Sequence, residues 1–384
     1  MANNKPFKIK NGLSAKVYLQ SSSALGASDV DVSAGSYFSK TLTADTTLTF
    51  SNPPASGLAG SFALEITGAN VTVGYDIANA AYDSVSFYTG TFFTQLRGLT
   101  FKPDGTKMYA TGSLNRVQQY SLSTAWDAST ISYDSQFYVS TEDTGVYDIA
   151  LNNNGTKMYI LGDTNNSIFQ YTLSTAYDLS TASYDSVSFS VGTQEGTPKS
   201  LVFKPDGTKM YIYGTTARTI FQYSLSTAYD ISTASYNSVS FAVSTSYHIY
   251  PAGLAFNNDG TKMFTMGYTY DAIRQWSLST AWDVSTASHD SIGFYLGSQG
   301  GSMFAMSFSS DGTKLYTVDF ANDTLFQYST SGLVATTVTY PSSVKWHSDT
   351  TPYSPAPGEK DLYVFVTADG GTNYYGKQAG DALS

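Results

Sequence analysis

Apolar and polar residues alternate along most of this chain with the two-residue period of β-strands. The alternating runs are short and are separated by turns that contain Gly, Asn or Asp. Residues 201–243 hold four such runs, and the first two are joined by an Asp-Gly turn. Asp-Gly or Asn-Gly between apolar runs is a strong hairpin signal. The pattern predicts an all-β protein made of short antiparallel strands.

Two sequence markers recur with one period along the middle of the chain. A Gly-Thr-Lys turn preceded by Asp or Asn recurs every 50 to 53 residues, and a Tyr-Asp or Trp-Asp dipeptide recurs every 51 to 53 residues. Two independent markers that keep the same period indicate a structural repeat. The glycines of the first marker are Gly105, Gly155, Gly207, Gly260 and Gly312, and the acids of the second are Asp76, Asp127, Asp178, Asp230 and Asp283.

Each repeat contains four predicted strands, which we name A to D. The series opens with a lone D strand at residues 84–87 and ends with an A-B-C set that closes at residues 325–328. That first D strand can complete the last blade, so that no strand edge is left open at the seam. We therefore predict a five-bladed β-propeller of about 52 residues per blade. The Trp-Asp dipeptides are like those of WD40 repeats, but the period is too long for that family.

The segments on either side of the repeat also contain predicted strands. Neither segment has enough apolar surface to fold alone, but together they would form a domain of roughly 120 residues. We predict a small β-sandwich that is split by the inserted propeller. The predicted boundaries are residues 1–73 for the N-terminal half, 74–333 for the propeller and 334–384 for the C-terminal half.

Four segments outside the repeat resemble virion proteins of tailed phages, especially those of the marine, cyanophage type. They are Phe7–Leu13, Thr47–Pro54, Tyr340–Trp346 and Asp369–Gly376. The resemblance covers the two segments outside the repeat, about a third of the chain, and extends to the general pattern of the repeat. It implies a virion component synthesised in the host cytoplasm, but not which component, and it carries no active site with it.

Composition and charge narrow the range of partners. The chain has 384 residues, a net charge of −10 and a pI of about 4.6, so a phosphate backbone would be repelled and nucleic acid is not an expected partner. It contains no Cys, which excludes thiolate metal sites and disulfides. Met1–Lys10 is polar and basic without an apolar stretch behind it, so we expect neither a secretory signal nor insertion into a membrane.

The two faces of the predicted propeller differ in how much their loops vary. The A–B and C–D turns form the repeated face and are nearly identical in every blade, whereas the B–C and D–A loops form the variable face and all differ. Residues that hold the fold together recur in every blade, whereas a ligand contacts each blade differently. We therefore predict binding at the variable face. Unselected drift of these loops is the alternative. The predicted binding residues are Phe92, Phe93, Asp143, Glu195, Tyr247, His248, Tyr250, Tyr268, Tyr270 and Asp271.

The titratable residues do not predict a conventional catalytic site. The three His residues fall in unrelated parts of the chain, so neither a Ser-His-Asp triad nor a three-His metal site is expected. We expect no catalytic residues, no metal and no cofactor. The enzymatic alternative is a glycan hydrolase of the five-bladed type, which would need two carboxyl groups about 5 to 10 Å apart in one pocket. Acids that could cluster across two adjacent blades are Glu142, Asp143, Asp148 and Glu195.

These features lead to one preferred function and several alternatives. We expect a non-enzymatic phage virion protein, of the tail-fibre or receptor-binding type, whose propeller binds a host-surface glycan or protein. The split sandwich would contact other virion proteins, with several copies of the chain on each particle. The alternatives are a head decoration protein on the capsid, the glycan hydrolase, and a bacterial surface adhesin.

Overall fold

The computed structural model describes residues 23–90, 95–248, 250–347 and 350–383. The chain divides into two compact units. The first is formed by the chain up to Thr72 and from Leu333 onward, and the second by Val73–Gly332. None of the helices in the described residues is long and apolar enough to cross a membrane.

The strands are numbered here in chain order. Before the repeat come β1 (Ser23–Ala24), β2 (Asp29–Asp31), β3 (Tyr37–Thr41), β4 (Thr46–Thr47), β5 (Thr49–Ser51), β6 (Gly60–Thr67) and β7 (Asn70–Val73). The repeat contains β8 (Ala81–Tyr88), β9 (Leu96–Phe101), β10 (Lys107–Gly112), β11 (Arg116–Leu122), β12 (Ile131–Tyr138), β13 (Val146–Leu151), β14 (Lys157–Gly162), β15 (Ser167–Leu173), β16 (Ala182–Ser190), β17 (Pro198–Phe203), β18 (Lys209–Gly214), β19 (Thr219–Leu225), β20 (Ala234–Ala242), β21 (Pro251–Phe256), β22 (Lys262–Gly267), β23 (Ala272–Leu278), β24 (Ala287–Tyr295), β25 (Met303–Phe308), β26 (Lys314–Asp319) and β27 (Thr324–Ser329). After it come β28 (Gly332–Ala335), β29 (Val338–Thr339), β30 (Val344–Trp346), β31 (Lys360–Thr367) and β32 (Tyr374–Leu383). Five short 3-10 turns complete the repeat: Ile77–Asn79, Ala128–Thr130, Leu179–Thr181, Ile231–Thr233 and Val284–Thr286.

The second unit is a five-bladed β-propeller, as the repeat predicts. Each blade is a four-stranded antiparallel sheet, and blades one to four are β9–β12, β13–β16, β17–β20 and β21–β24. The innermost strands of successive blades contact one another in a closed ring, from β9 through β13, β17, β21 and β25 back to β9. Their alternating large side chains pack between blades and exclude water, which supplies most of the driving force for ring formation.

The ring closes through the strand exchange that the order of strands predicts. Blade five consists of β25, β26 and β27, and its outer strand is β8 from the start of the repeat. Phe87 lies opposite Leu325, and Tyr82 lies opposite Tyr328. The Lys314 ammonium is 2.6 Å from the Asp83 carboxylate, which joins the same two chain segments. Closure therefore depends on residues separated by the whole length of the repeat.

A Gln on strand C joins neighbouring blades at Gln119, Gln170 and Gln327. The Gln119 Oε1 atom accepts a 2.8 Å hydrogen bond from the Leu179 N–H of the next blade, while Gln119 Nε2 donates to Asp134. Gln327 accepts from the Ala128 N–H at 2.8 Å and so joins blade five to blade one. These amides satisfy buried backbone donors that the 3-10 turns would otherwise leave without partners.

The repeated face keeps its shape because its turns interlock. Gly207 has a φ of +73°, and a Cβ atom there would lie 2.2 Å from the ring of Tyr229 in the C–D turn. The Tyr229 hydroxyl in turn donates to the Pro205 carbonyl at 2.6 Å. Asp230 accepts a hydrogen bond from the Ser232 N–H at 3.0 Å and so begins the 3-10 turn. The uniformity of these turns therefore has a structural cause.

The first unit is built from both ends of the chain. Its main sheet has the order β1-β3-β6-β31-β32-β30, and two short sheets pair β2 with β5 and β4 with β29. Strand β6 of the N-terminal half pairs antiparallel with β31 of the C-terminal half. The Phe62 and Phe365 rings stack 5.0 Å apart, and Val30 of β2 and Val338 of β29 pack in the same core. The short sheets therefore form a second layer against the main sheet.

Candidate functional site

The D–A loops of the variable face hold several of the predicted binding residues, but most of these are buried. Phe92 and Phe93 lie outside the described residues. Asp143 is only 2% exposed, and Glu195 is fully buried. Their surroundings must therefore explain why acidic side chains are found there.

Both carboxylates hold the backbone of the adjacent B–C loop. Asp143 accepts hydrogen bonds from the N–H groups of Gly145, at 2.6 Å, and Asn165, at 2.9 Å. Glu195 accepts from the N–H groups of Thr197 and Thr216, each at 2.9 Å, and of Ala217, at 3.0 Å. This placement corrects the prediction for both acids, because their lone pairs are occupied within the protein and do not face a partner.

In blade five a carboxylate also holds the B–C loop, but it comes from the B strand and the glycine comes from the D–A loop. In blades two and three the B strand ends in Gly162 or Gly214, where a Cβ atom would lie 2.3 Å from Asp143 Cγ or 2.5 Å from Glu195 Cγ. In blade five the strand ends in Asp319, which accepts from the Ala321 N–H at 2.9 Å, and the facing loop residue is Gly300. In these three blades there is room for one carboxylate and one glycine, and either strand or loop can supply the acid.

His248 takes the position of the carboxylate in blade four. It is fully buried, and its Nε2 atom lies 3.0 Å from Thr265 Oγ1. Burial and the nearby Arg274 lower the pKa of His248 to about 4, so the imidazole is neutral near pH 7. A buried neutral ring that fills a loop corresponds to a structural position, which corrects its assignment as a binding residue.

Tyr247 also faces inward. Its ring lies 4.3 Å from that of His289 and 5.3 Å from that of Trp276 on strand C of the same blade. The residues at the equivalent position of blades two and three cover the C-strand aromatic in the same way: Glu142 accepts a hydrogen bond from the Tyr171 hydroxyl, and Gln194 accepts one from the Tyr223 hydroxyl. Tyr247 therefore covers the end of its blade and is not presented to a partner.

Asp271 joins two blades. It is 9% exposed, and its Oδ1 atom accepts a 3.0 Å hydrogen bond from the Met303 N–H at the start of the next A strand. Asp323 makes the same contact with the Leu96 N–H at 3.1 Å. Burial raises the pKa of Asp271. The contact repeats in another blade, so Asp271 is likewise a structural residue and not a candidate for binding.

Tyr250 and Tyr268 do line an open cleft, at the mouth of the central channel. The cleft has a volume of about 370 Å³, which is within the usual range for ligand pockets. Tyr270, in the neighbouring loop, is 41% exposed but lies outside the cleft lining. The lining residues are Tyr147, Lys199, Thr215, Tyr250, Tyr268, Ser302, Phe304 and Phe320. We refer to this site as the aromatic cleft.

The aromatic cleft is built from three positions that recur in every blade. One is the second residue of strand A, another is the first residue after strand B, and the third directly precedes strand A. The last two are held side by side by a backbone hydrogen bond, for example from the Tyr268 N–H to the Tyr250 carbonyl at 3.2 Å. The fifteen residues, taken blade by blade, are Gln95, Arg97, Ser113; Gly145, Tyr147, Asp163; Thr197, Lys199, Thr215; Tyr250, Ala252, Tyr268; and Ser302, Phe304, Phe320.

Four rings of the aromatic cleft stack in series across blades four and five. Tyr250 stacks on Tyr268 with ring centroids 5.0 Å apart and planes at 15°. Tyr268 stacks on Phe304 at 5.9 Å and 18°, and Phe304 stacks on Phe320 at 5.2 Å and 27°. Tyr250 is 46% exposed, so the outer end of the series is open to solvent. The series therefore forms an apolar platform whose open end is the Tyr250 ring.

Two cations lie beside this platform. The Lys199 ammonium is 3.2 Å from the centroid of the Tyr147 ring and 2.7 Å from the Asp163 carboxylate. The Arg97 guanidinium is 4.3 Å from the Tyr147 centroid and 5.7 Å from that of Phe320. Arg97 forms no ion pair with any of the described residues. Of these two cations, only Lys199 is paired with a carboxylate.

Sequence reasoning missed Tyr147, Phe304 and Phe320 because it searched for unusual loops and not for variable positions in equivalent places. The signal was present in the aligned repeats. The second residue of strand A changes from Arg97 to Tyr, Lys, Ala and Phe in successive blades, while the large residues that follow it remain apolar. Comparison of this one position across the five repeats would have identified Tyr147 and Phe304 as candidates.

The acids considered for glycan hydrolysis lie elsewhere. Asp148 lines a separate cavity of about 250 Å³ within the channel. It accepts hydrogen bonds from the Leu201 N–H at 2.9 Å and the Ser200 hydroxyl at 3.1 Å, and burial raises its pKa to about 7. Glu142, Asp143, Asp148 and Glu195 are all outside the lining of the aromatic cleft. Within the described part of the chain, no three His, Asp or Glu residues group in a way that could hold a metal ion.

Comparison with known proteins adds little about function. No family model and no curated protein matches the chain. Among solved structures, the chain is similar to a functionally unknown protein from Desulfotomaculum acetoxidans, with 13% identity and a TM-score of 0.40 over 74% of this chain and 75% of that one. It is also similar to a Bacteroides uniformis protein provisionally named a 6-phosphogluconolactonase, with 13% identity and a TM-score of 0.39 over 70% of this chain and 76% of that one. Likenesses this distant leave the function to be inferred from the site itself.

Proposed function

We propose that the propeller is a non-enzymatic binding module and that the aromatic cleft takes up a sugar of a host-surface glycan. The observation that carries this proposal is the series of four stacked rings at the mouth of the channel. Aromatic faces suit the apolar C–H faces of sugar rings, and the Tyr hydroxyls, Thr215 and Ser302 provide polar partners around them.

Binding is favoured over cleavage by the chemistry of the lining. Glycoside hydrolysis uses a pair of carboxyl groups that flank the bond. The eight residues that line the aromatic cleft include one charged residue, Lys199, and it is basic. The acids of the surrounding loops are bonded to backbone N–H groups, as described for Asp143 and Glu195.

The biological setting of this proposal is a tailed-phage virion. It rests on the resemblance of four segments outside the repeat to virion proteins of that group, which would give the first unit the role of attachment to other virion proteins. A receptor-binding position in the tail fits a binding propeller better than a head decoration. Labelling intact particles with an antibody against the propeller and imaging them would distinguish tail from head.

The binding role is tested by a matched pair of variants. Tyr250→Ala removes the open end of the stacked series, whereas Tyr270→Ala removes a tyrosine of similar exposure from the same face outside the cleft. Loss of a central aromatic contact costs about 2 kcal/mol or more, or about thirtyfold in affinity. We expect Tyr250→Ala to lose binding to a glycan array and to host cells, and Tyr270→Ala to retain it. Equal effects of the two variants, or adsorption by particles that lack the propeller, would contradict the proposal.

A further inference from the structure

Two cations lie beside the aromatic cleft, although the chain as a whole is acidic. The protein has a formal net charge of −10, yet Arg97 and Lys199 both lie over the Tyr147 ring, and of these two only Lys199 has a carboxylate partner, Asp163. Lys199 is 9% exposed, so keeping its ammonium there requires partners that compensate for the loss of water. Asp163 and the Tyr147 ring supply two of these partners.

Arg97 differs from Lys199 because its charge is not matched. Its Nη1 atom donates to the Val146 carbonyl at 3.2 Å, and its Nη2 atom donates to Gln95 Oε1 at 3.3 Å. No carboxylate of the described residues pairs with it. A guanidinium over the face of an aromatic ring can still present N–H groups to a planar anion, because those groups point outward in its own plane. Arg97 is not itself part of the cleft lining, but its guanidinium lies against the rings of Tyr147 and Phe320, which are.

We propose that the ligand of the aromatic cleft is an acidic glycan, in which a sugar ring stacks on the aromatic series and a carboxylate of the same sugar or its neighbour is held by Arg97 and Lys199. This inference rests on the proposed glycan-binding function and specifies its substrate class. The cleft supplies both required features within one site, a platform for a ring and cations at its edge. A neutral glycan would use the platform but would leave the Arg97 charge unmatched.

The test uses pairs of probes in which the acid is compared with its uncharged ester. Trigalacturonic acid is compared with its methyl ester, and sialyllactose with the methyl ester of its sialic acid carboxylate, by calorimetric titration of the full chain. A charge-assisted hydrogen bond to a carboxylate is worth about tenfold in affinity or more. We expect at least one acidic probe to bind about tenfold more tightly than its neutral partner, and the preference to weaken as salt is added.

Two variants test whether Arg97 and Lys199 cause the preference for the acidic glycan. Arg97→Gln and Lys199→Gln should each reduce the affinity for the acid about tenfold and leave the affinity for the neutral partner within about threefold. Arg116→Gln is the matched control, because Arg116 also lies over a tyrosine ring, that of Tyr138 at 6.0 Å, but on a C strand outside the cleft. It should change neither affinity. Thermal unfolding of each variant shows whether the fold is retained.

The outcomes separate this inference from the function on which it rests. Equal binding of acidic and neutral probes, lost in Tyr250→Ala, would overturn the acidic preference and leave glycan binding in place. A preference for the acid that persists in both Arg97→Gln and Lys199→Gln would also overturn it. Absence of binding to all four probes and to a broad glycan array would overturn glycan binding itself, and the acidic preference with it.

Discussion

At the scale of single residues, the variable face is held together by compensating pairs of side chains. A carboxylate or imidazole from the D–A loop fits only where the B strand ends in glycine, and blade five exchanges the two partners between Asp319 and Gly300. In the aligned repeats these changes look like free variation. In the folded protein the loop residue and the last residue of strand B contact each other, and a large side chain at one position is matched by glycine at the other.

The fit of these pairs predicts an effect of adding one methyl group. In Gly214→Ala the new Cβ would lie 2.5 Å from Glu195 Cγ and from the Thr197 carbonyl, so loop and strand must separate. We expect a loss of about 1–3 kcal/mol in the free energy of unfolding, measured by denaturant titration. Gly301→Ala is the control, since its Cβ would meet no atom within 4 Å, and it should remain within about 0.5 kcal/mol of the wild type. Equal stability of the two variants would show that the close packing of Gly214 against Glu195 and Thr197 is not required for stability.

Asp148 should make stability depend on pH. Burial raises its pKa to about 7, whereas the unfolded chain titrates near pH ~3.9. Between these values the folded protein binds a proton that the unfolded chain has released, so the contribution of Asp148 to stability falls as the pH rises from about 4 to about 7. Asp148→Asn removes the titration and keeps an oxygen to accept from the Leu201 N–H. The variant should therefore gain stability relative to the wild type over this interval, and a difference independent of pH would refute the prediction.

At the scale of structural elements, neighbouring blades are joined by hydrogen bonds from strands to turns as well as by apolar packing. The Tyr109 hydroxyl donates to the Tyr177 carbonyl of the next blade at 2.6 Å, and Tyr316 donates to the Trp126 carbonyl at 2.5 Å across the closing seam. Blade four has Phe264 at this position, and its ring stacks near Tyr75 instead. The ring of blades therefore tolerates loss of one such bond when an aromatic contact takes its place.

The buried strand Gln is harder to replace. In Gln119→Leu the Leu179 N–H loses its acceptor and the Asp134 carboxylate loses a donor. Leaving a buried donor without a partner costs about 1–3 kcal/mol, so we expect a lower midpoint of thermal unfolding with little change in the aromatic cleft. Gln136→Leu, at an exposed position of the same blade, serves as the control and should have almost no effect. A similar midpoint for both variants would show that the blade contacts do not depend on this amide.

At the scale of the whole molecule, the chain forms two units with separate cores. The core of the first unit takes Phe38, Phe62 and Leu64 from the N-terminal half and Tyr363 and Phe365 from the C-terminal half. Neither half can bury its apolar surface without the other. The strands at which the chain leaves and re-enters this unit, β7 and β28, are paired with each other, so their ends are close in space.

This arrangement predicts that the first unit folds without the propeller. Deleting residues 74–331 and joining the flanks with a short linker should give a β-rich product with a cooperative thermal transition, measured by circular dichroism. The N-terminal half alone should remain unfolded, because β6 would lack β31 and the core would lose four of its six buried aromatic rings. A joined product without cooperative unfolding would show that the first unit requires the propeller.

The sequence by itself determined the number of blades, the four strands of each and the closing exchange of β8, because strand periodicity, Asn/Asp-Gly turns and a repeat of about 52 residues are local signals. Only the tertiary structure decided which variable residues line the aromatic cleft. Tyr247 and Tyr250 are three residues apart in one loop, yet one packs against Trp276 and the other opens the aromatic cleft. Side-chain direction in a loop is set by packing against other blades, and ring closure brings together Tyr147, Lys199 and Phe304, which lie about 50 or more residues apart in the chain.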